Sequence, residues 1–432
     1  MEFEGIKQRL AQTSTLLPSG RVESVVGLAV RVSLAAARVG DVIVIQRRGP
    51  PLLAQVVGID GGQAVAMPLG DLVGVGAGDR VETRGSALEV RVGDELLGRV
   101  LNGLGEPVDG RPALQAGASR PVESPAPPAL SRRPVDRPLA TGVRVIDGLM
   151  TLGEGQRVGL FAGSGVGKSM LLGAIARGTA ADVVVVALVG ERGREVGEFL
   201  DKSLGEQGLA KSVVVVATSD APALERLAAA QVATAVAEHF RDQGAKVMLL
   251  VDSVTRFARA QREVGLAAGE PPARRGYPPS VFAMLPRLLE RSGQGDKGSI
   301  TAIYTVLVEG GDMDEPIADE VRGILDGHIV LDRAIAARGR YPAVDVLNSL
   351  SRVMSGIVGK EHREAAARAR RVMGTFEAKR DLIALGAYAK GSDRELDAAI
   401  AMMPKIEAFL GQAPDERTAL DETVARLGAI RP

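Results

Sequence analysis

A glycine-rich segment that ends in a lysine and a serine, AGSGVGKS at residues 162–169, follows a short apolar run and precedes a helical pattern. Glycine lets the backbone approach phosphate oxygens closely, and the amides that open the following helix point at the same negative charge. In such a loop Lys168 reaches the β- and γ-phosphates, and the hydroxyl of Ser169 ligates Mg²⁺. The predicted contacts to the nucleotide are Gly163, Ser164, Gly165, Val166, Gly167, Lys168, Ser169 and Met170.

This segment departs from the strict phosphate-loop pattern at one position, where Ala162 stands in place of glycine. The position only begins the turn, so a methyl group is tolerated there if φ of Ala162 is negative. The alternative is a glycine-rich turn that binds nothing. The combined presence of strand, loop, lysine, serine and helix favours phosphate binding over that alternative.

A phosphate loop of this kind needs an acidic partner for Mg²⁺ at the end of a neighbouring buried strand. The run VMLLVDS places Asp252 directly after a series of apolar residues. A carboxylate in front of a helix also serves as an N-cap, and this alternative applies to Asp252 beside Ser253. In combination with the phosphate loop, the position predicts a magnesium ligand.

Transfer of a phosphoryl group to water also needs a carboxylate that orients the attacking water. The apolar run that ends at Val189 leads into GERGRE, which puts Glu191 and Arg192 at the carboxyl edge of the predicted sheet. Open α/β folds bind their ligands at that edge. Glu and Arg before a helix are more often a solvated first turn, so spacing alone leaves both interpretations open.

The elements that must position these residues alternate along the middle of the chain. Apolar runs such as DVVVVALVG and KVMLLVDS are each followed by a helical pattern. Continuous Val and Leu runs are typical of strands that are buried on both faces. We therefore predict an α/β core with a mostly parallel sheet and helices on both faces, whose last strand is HIVLD.

Two further parts flank this core. Short β-branched runs between Val22 and Val92 predict a small all-β module, either a barrel or a sandwich, and repeated prolines at 120–138 predict a linker. Strand signals stop at Val346, after which helical periodicity continues, with Asp393 and Asp415 as N-caps. The predicted domains are residues 1–20, 21–92, 93–345 with the linker 120–138, and 346–432.

Composition narrows the classes of function. Lys plus Arg and Asp plus Glu both total 53, so the chain has no overall basic field that would attract nucleic acid or anionic lipid. Aromatic residues make up only 3%, which leaves little for stacking on exposed bases. Cysteine is absent and the three histidines (His239, His328 and His362) match no metal-ligand spacing, so Mg²⁺ is the only metal we predict. Without a signal peptide or membrane span, we expect a cytoplasmic protein.

Several longer segments resemble one family. The catalytic subunits of rotary ATP synthases and their export relatives carry, in this order, runs similar to LGRVLNGLGEPVDG, the phosphate loop, GERGREVGEF, LLVDSVTRFARAQREVG, RRGYPPSVFAMLPRLLERSG and RYPAVDVLNSLSR. The resemblance extends from about Arg21 to the C-terminus. The segments AGSGVGKS, TVLVEGGDMDEPIADEVRGILDGHIVLDR and GAYAKGSDRELDAAI look most like the bacterial flagellar protein export ATPases, with the injectisome ATPases of type III secretion as near neighbours.

The resemblance implies a fold and a set of residue roles. The fold is an N-terminal β-barrel, a P-loop RecA-like parallel-sheet core and a C-terminal helical domain. The implied roles are phosphate binding by Lys168, Mg²⁺ binding by Ser169, catalysis by Glu191, γ-phosphate contact by Arg192 and binding of Mg²⁺ and its water by Asp252. Non-catalytic subunits of rotary ATPases carry Gln at the position of Glu191, so the resemblance favours an active enzyme.

Three further residues acquire roles through the resemblance. Arg352 matches an arginine finger that is supplied to a neighbouring site, although a surface salt bridge is the alternative. Tyr341 matches an aromatic side chain that packs on adenine, and the alternative is a tyrosine buried beside Pro342. Arg256 is similar to a family arginine near the phosphates.

The implied activity is Mg-dependent ATP hydrolysis in a homohexameric ring, coupled to the engagement, unfolding and export of flagellar proteins. Expected partners are a stator-like regulator, a central stalk protein, export-gate membrane proteins, and export substrates with their chaperones, at the inner-membrane base of the secretion apparatus. Residues 1–20 would bind the regulator through a helix that carries Phe3, Ile6 and Leu10, or would be a frayed tail. Alternatives are an injectisome ATPase, a nucleic-acid-dependent hexameric motor and a non-catalytic ring subunit; no nucleic acid is expected as a partner.

Overall fold

The computed structural model of the 432-residue chain describes residues 18–114 and 117–431. The predicted regulator-binding helix with Phe3, Ile6 and Leu10 lies outside the described residues. Three parts follow one another along the chain: a closed β-barrel, a nine-stranded sheet flanked by helices, and a C-terminal helical part. The predicted fold class is thereby confirmed.

The N-terminal part is a barrel and not a sandwich. Its strands are hydrogen-bonded in the order β1-β2-β5-β4-β3-β6, and pairing of Gly20 with Val81 joins the last strand to the first. Alternate residues of the strands point inward, so that Val30, Ile43 and Ile45 are fully buried in a separate core. The strands are β1 Ser19–Val26, β2 Ala29–Ser33, β3 Val42–Gln46, β4 Leu52–Asp60, β5 Gln63–Pro68 and β6 Arg80–Thr83.

The central sheet follows the order β19-β18-β12-β17-β15-β13-β14-β8, and β16 pairs with β17. Every residue of the strand Val183–Glu191 is buried, because helices cover both faces of the sheet. The strands of this sheet are β8 Val100–Asn102, β12 Arg157–Ala162, β13 Val183–Glu191, β14 Ser212–Thr218, β15 Lys246–Asp252, β16 Gly293–Gln294, β17 Ser299–Leu307, β18 Gly327–Leu331 and β19 Val344–Ser351.

Two small ribbons and the helices complete the fold. The ribbons pair β7 Glu89–Val92 with β9 Ala118–Pro121, and β10 Pro138–Leu139 with β11 Leu152–Gly153. The helices of the core are α1 Arg144–Leu149, α2 Lys168–Gly178, α3 Gly193–Glu198, α4 Gly205–Ala210, α5 Ala223–Asp242, α6 Val254–Ala267, α7 Pro279–Leu289, α8 Pro316–Ile324 and α9 Arg333–Ala337. The helices that follow β19 are α10 Met354–Ile357, α11 Lys360–Ala378, α12 Arg380–Ala384, α13 Arg394–Leu410 and α14 Leu420–Gly428.

The expectation that strands end before Val346 is wrong. Strand β19 runs to Ser351 and pairs antiparallel with β18 at the edge of the sheet. Leu347, Asn348 and Leu350 of this strand are exposed, so it lacks the continuous apolar run of a strand that is covered on both faces. The sequence did not predict strand β8, at the other edge of the sheet, because three residues are too few for a recognisable strand pattern.

The two predicted helix caps have different outcomes. The carboxylate of Asp393 accepts hydrogen bonds from the amides of Glu395 and Leu396 and caps α13, as predicted. Asp415 caps no helix, because α14 begins only at Leu420, after Ala419. Among the described residues, no helix is both long and apolar enough to cross a lipid bilayer.

The order of the sheet decides where the predicted site residues meet. Strands β12, β13 and β15 run parallel, with β17 between β12 and β15, so their carboxyl ends share one edge. These ends are Ala162, Glu191 and Asp252. Segments that are far apart in sequence are therefore brought to the mouth of the phosphate loop.

Candidate functional site

The glycine-rich segment forms a loop between β12 and α2. Gly165 and Gly167 have φ angles of 78° and 87°, a left-handed conformation that favours glycine. Helix α2 begins directly at Lys168, so its free amides face the concave side of the loop. Ala162 is the last residue of β12 and does not adopt positive φ, and this explains how its methyl group is accommodated.

Lys168 lies between the two predicted acidic residues. Its Nζ atom contacts the carboxylate of Asp252 and lies 3.7 Å from Oε1 of Glu191. The Asp252 carboxylate also accepts a hydrogen bond of 2.7 Å from the hydroxyl of Thr305 on β17. The structure therefore brings together Lys168, Glu191 and Asp252, as the sequence predicts, and adds Thr305, which no motif had indicated.

Glu191 occupies an unusual electrostatic environment. Its side chain is only 11% exposed, and Oε1 has no hydrogen-bond partner in the described part of the chain. Burial and the nearby Asp252 carboxylate raise the pKa of Glu191 to about 7, although the charge of Lys168 acts in the opposite direction. A carboxylate with such a pKa can accept a proton near neutral pH.

Arginines surround the cleft above the loop, which has a volume of about 590 Å³. Arg192 is well exposed at the start of α3, whereas Nε of Arg256 is buried without a hydrogen-bond partner among the described residues. Arg259 and Arg333 also line this cleft, and a guanidinium nitrogen of Arg333 lies 3.5 Å from the carbonyl of Ser164. So much positive charge suits a polyphosphate.

The sequence analysis missed these last two arginines. Arg259 lies three residues after Arg256 on α6, a helical spacing that places both on one face. Arg333 comes directly after Asp332, at the carboxyl end of β18. The sequence therefore indicates the position of Arg259 once α6 is assigned, and that of Arg333 once β18 is assigned.

The oxygen atoms at this edge suit Mg²⁺. Ser169 lines the cleft beside Lys168, and Asp252 ends the neighbouring strand β15. Hydroxyl and carboxylate oxygens are the donors that Mg²⁺ prefers, and the ion keeps several waters and phosphate ligands of its own. Within residues 18–114 and 117–431, no group of three or more acidic or His side chains could hold a metal by itself. Ser169 and Asp252 therefore fit an ion that arrives together with a phosphate ligand.

An apolar cavity of about 250 Å³ adjoins the phosphate loop. The ring of Tyr341 lies 3.4 Å from the point that a Cβ atom on Gly167 would occupy, an ordinary van der Waals distance, so the ring lies close against the loop. Tyr341 is 45% exposed, which argues against the alternative of a buried tyrosine. The cavity is lined by Val143, Gly167, Met170, Leu171, Ala174, Tyr341, Pro342, Gln412, Ala413, Pro414 and Glu416.

This cavity has the character of a site for a flat heterocyclic base. Its inner wall comes from α2 and from Tyr341, both of which the sequence analysis had selected. Its outer wall, residues 412–416, follows α13 and comes from the C-terminal helical part. No motif had drawn attention to that segment.

The structure does not bring Arg352 to the phosphate loop of its own chain. Arg352 directly follows β19, and its amide donates to the carbonyl of Asp326, just before β18 begins. The other end of β18, Leu331, pairs with Ala162 at the start of the loop. Arg352 and the loop thus lie at opposite ends of strand β18, which are about 16 Å apart for a strand of this length.

The surroundings of Arg352 leave its charge available. The residue is exposed, and in the described part of the chain its guanidinium forms no ion pair with a carboxylate. The alternative of a surface salt bridge therefore lacks a partner among residues 18–114 and 117–431.

Comparisons with known families match two regions of the chain. Residues 142–351 match the ATP synthase alpha/beta family, nucleotide-binding domain. Residues 358–429 match the C-terminal domain of the T3SS ATPase EscN. The first match contains the phosphate loop, and the second contains the segment that closes the apolar cavity.

Similar proteins extend over nearly the whole chain. The flagellum-specific ATP synthase of Bacillus subtilis is 51% identical, over 100% of this chain and 99% of the relative. The type 3 secretion system ATPase of Xanthomonas euvesicatoria is 52% identical, over 98% of this chain and 97% of the relative. Two solved structures of the assembled ATPase EscN from enteropathogenic E. coli, alone and in complex with its central stalk EscO, give TM-scores of 0.90 and 0.88. Both are 46% identical and cover 95% of this chain and 99% of theirs.

Proposed function

Because this chain belongs to the flagellar and type III secretion ATPases of the ATP synthase alpha/beta family, we propose that it hydrolyses Mg·ATP to drive the export of flagellar proteins. The observation that carries this proposal is the convergence of Lys168, Glu191 and Asp252 at the mouth of the phosphate loop. The apolar cavity beside the loop adds a site for the adenine base, against the ring of Tyr341.

The chain's own residues account for most of the chemistry. The loop amides and Lys168 hold the β- and γ-phosphates. To reach the phosphates, the Lys168 ammonium moves away from the carboxylates of Glu191 and Asp252. Glu191 then orients a water for in-line attack and accepts its proton, which its raised pKa favours. Ser169 and Asp252 would hold Mg²⁺, which would supply positive charge to the phosphates. Arg192 and Arg256 add positive charge at the γ-phosphate.

The position of Arg352 supports a ring in which each site is shared. An arginine at the end of the strands opposite the phosphate loop can reach the site of an adjacent copy when protomers associate head to tail. We propose a homohexamer, in line with the assembled state named for EscN. By analogy with EscN and EscO, a central stalk protein enters this ring.

The remaining partners follow from membership of the export family. They are a stator-like regulator that binds residues 1–20, export-gate membrane proteins, and export substrates with their chaperones. The ring then acts in the cytoplasm, at the inner-membrane base of the secretion apparatus. Nucleic acid is not among the proposed partners, since the formal net charge is +0.

The first experiment measures the ATPase rate per protomer against protein concentration, with size-exclusion profiles in parallel. The rate should rise as the ring forms, because each site needs Arg352 from a neighbour. A monomer with full activity would refute the shared site. An assembled ring without activity would instead favour a non-catalytic subunit.

Mixed rings test the contribution of Arg352 directly. Arg352→Ala and Lys168→Ala are each expected to be inactive, since an arginine finger contributes about 10³- to 10⁵-fold to the rate. In mixtures, some interfaces combine an intact phosphate loop with an intact Arg352, so part of the activity should return. A mixture as inactive as its components would contradict the proposal.

The export system is tested in the bacterium of origin. Deletion of this chain should abolish hook and filament assembly, and the wild-type chain should restore both, whereas Glu191→Gln should not. Intact flagella together with a loss of effector secretion would assign the chain to an injectisome. Stimulation of the purified ATPase by RNA, reversed by salt, would instead indicate a nucleic-acid motor.

A further inference from the structure

The outer wall of the apolar cavity is a segment of eight residues, Gly411–Thr418, that joins α13 to α14. We call it the strap. It belongs to the C-terminal helical part, yet Gln412, Ala413 and Glu416 face the cavity beside the phosphate loop. The strap contains no helix or strand to hold it in place. Its position must therefore depend on contacts with the core.

Several of these contacts come from the side chain of Arg144, at the start of α1. Its side chain is only 5% exposed. The guanidinium donates to the carbonyls of Phe409 (3.1 Å) and Gly411, to the carboxylate of Glu416, and to the hydroxyl of Thr418 (3.1 Å). One buried side chain thus binds both ends of the strap and its central carboxylate.

Gln412 adds a second set of contacts. Its Oε1 accepts a hydrogen bond of 2.7 Å from the amide of Arg144, and its Nε2 donates to the carbonyls of Gly142 and Glu416. Its own amide donates to the carbonyl of Tyr341 at 2.9 Å. Both Nε2 protons are used within the protein, so Gln412 holds the wall in place and donates nothing to a base.

From this geometry we propose that Arg144 is a positioning residue for the nucleobase, because it holds the strap against the core and thereby shapes the apolar cavity opposite Tyr341. The proposal rests on the proposed function, since it takes the nucleobase of a nucleoside triphosphate as the occupant of the cavity. Arg144 lines neither the apolar cavity nor the cleft above the phosphate loop. Its removal leaves the strap carbonyls and Glu416 without their buried partner and opens the cavity wall.

The two halves of the nucleotide allow a decisive test. Arg144→Met keeps an unbranched stem in the same place and removes every hydrogen bond that the Arg144 side chain makes to the strap. We expect the KM for ATP to rise about tenfold or more, the equivalent of one lost hydrogen bond to a charged group, with kcat changed by less than about threefold. Inorganic tripolyphosphate occupies only the phosphate loop, so its inhibition constant against ATP should stay within about twofold of the wild-type value.

A matched control separates the strap from general attachment of the C-terminal part. Arg370 on α11 also ties this part to the core, through the carbonyls of Val346, Leu149 and Ser349. It contacts no residue of the strap. Arg370→Met should therefore leave the KM for ATP within about twofold of wild type.

Two further variants keep the proposal testable if Arg144→Met fails to fold. Arg144→Lys keeps the charge but loses the planar fork, so we expect a smaller rise in KM than for Met. Gln412→Leu keeps most of the volume and loses the side-chain hydrogen bonds, which should raise the KM about threefold to tenfold.

The outcomes separate this proposal from the proposed function. An unchanged KM for ATP in Arg144→Lys and Gln412→Leu would overturn the role of Arg144. Equal weakening of ATP and tripolyphosphate would also overturn it, because the effect would then be general. Wild-type protein that binds tripolyphosphate but neither binds nor hydrolyses ATP would instead refute the proposed function.

Discussion

The two ends of the candidate nucleotide site are built in opposite ways. At the phosphate end, Lys168 at the start of α2 is shared by two carboxylates, Glu191 and Asp252, which end the parallel strands β13 and β15. At the base end, the cavity is apolar, and its outer wall depends on a segment more than 200 residues away in sequence from the phosphate loop. The phosphate end is organised for chemistry and the base end for affinity. Substitutions at the two ends should therefore alter different kinetic constants.

The largest effect is expected at the phosphate end. Glu191→Gln removes the proposed acceptor of the attacking water's proton, so kcat should fall by about 10²- to 10⁴-fold. Nucleotide affinity should not fall, because the substitution removes a negative charge from the phosphate site. Steady-state kinetics and equilibrium nucleotide binding measure the two quantities.

Glu198→Gln is the matched control for this variant. Glu198 lies on α3, close in sequence to Glu191, but it is exposed and pairs with Arg194 at 2.8 Å. Its substitution should leave kcat unchanged. A comparable fall in kcat in both variants would remove the catalytic assignment of Glu191.

Substitutions at the base end should mainly change the KM for ATP. Tyr341→Ala removes the ring that we propose to stack on the base, and such stacking contributes about 1–3 kcal/mol per base in other proteins. We expect the KM for ATP to rise about tenfold with little change in kcat, whereas Tyr341→Phe keeps the ring and should behave like wild type. A fall in kcat as large as that of Glu191→Gln would abolish the contrast between the two ends.

The stability of the nucleotide-free protein tests the electrostatics of the phosphate end. The pKa of Glu191 is raised from 4.5 to about 7, so between these values the folded state keeps a proton that the unfolded chain has lost. Glu191 therefore contributes stability below pH 4.5 that is lost as the pH rises through about 7. Allowing for partial solvent screening, Glu191→Gln should be more stable than wild type by about 1–2 kcal/mol at pH 8.

Urea unfolding of both proteins without nucleotide or Mg²⁺ measures this difference. At pH 4 the two free energies of unfolding should nearly coincide, because Glu191 is then protonated in both states. A difference that does not change between pH 4 and pH 8 would mean that the Glu191 pKa is not raised by burial.

The smallest effect is expected at the start of the loop. Ala162→Gly restores the strict motif, but Ala162 is a buried strand residue without positive φ, so glycine offers no advantage there. The kcat/KM should stay within about twofold of wild type, and stability should fall by about 1 kcal/mol because glycine loses more backbone entropy on folding. A clear gain in activity would show that the methyl group obstructs the phosphates.

The contrast between the two ends also explains what the sequence could predict. Glycines 163, 165 and 167, Lys168 and Ser169 are consecutive or nearly so, and their chemistry can be read locally. The positions of Asp252 and Glu191 could be predicted because buried strands have a clear pattern and end at a common edge, whereas the catalytic role of Glu191 came from the family resemblance.

Other parts of the site depend on tertiary structure and were not predicted. The strap has no pattern of its own, and its contacts at the cavity include hydrogen bonds from Arg144, more than 260 residues earlier. Strand β19 was missed because an antiparallel edge strand with exposed leucines lacks a continuous apolar run. The roles of Tyr341 and Arg352 came only from the family resemblance, and those roles stay predictions.

Because Arg352 is separated from its own phosphate loop, the number of complete sites depends on how many protomers have a neighbour. Under the role proposed for Arg352, the protomer at one end of a head-to-tail row lacks an arginine donor, and the protomer at the other end has an arginine that serves no site. A pair therefore has one complete site, a row of three has two, and only a closed ring has as many complete sites as protomers. Closing the ring should thus add a whole site without adding a protomer, and the specific activity of a partly assembled sample becomes a measure of how many of its rows have open ends.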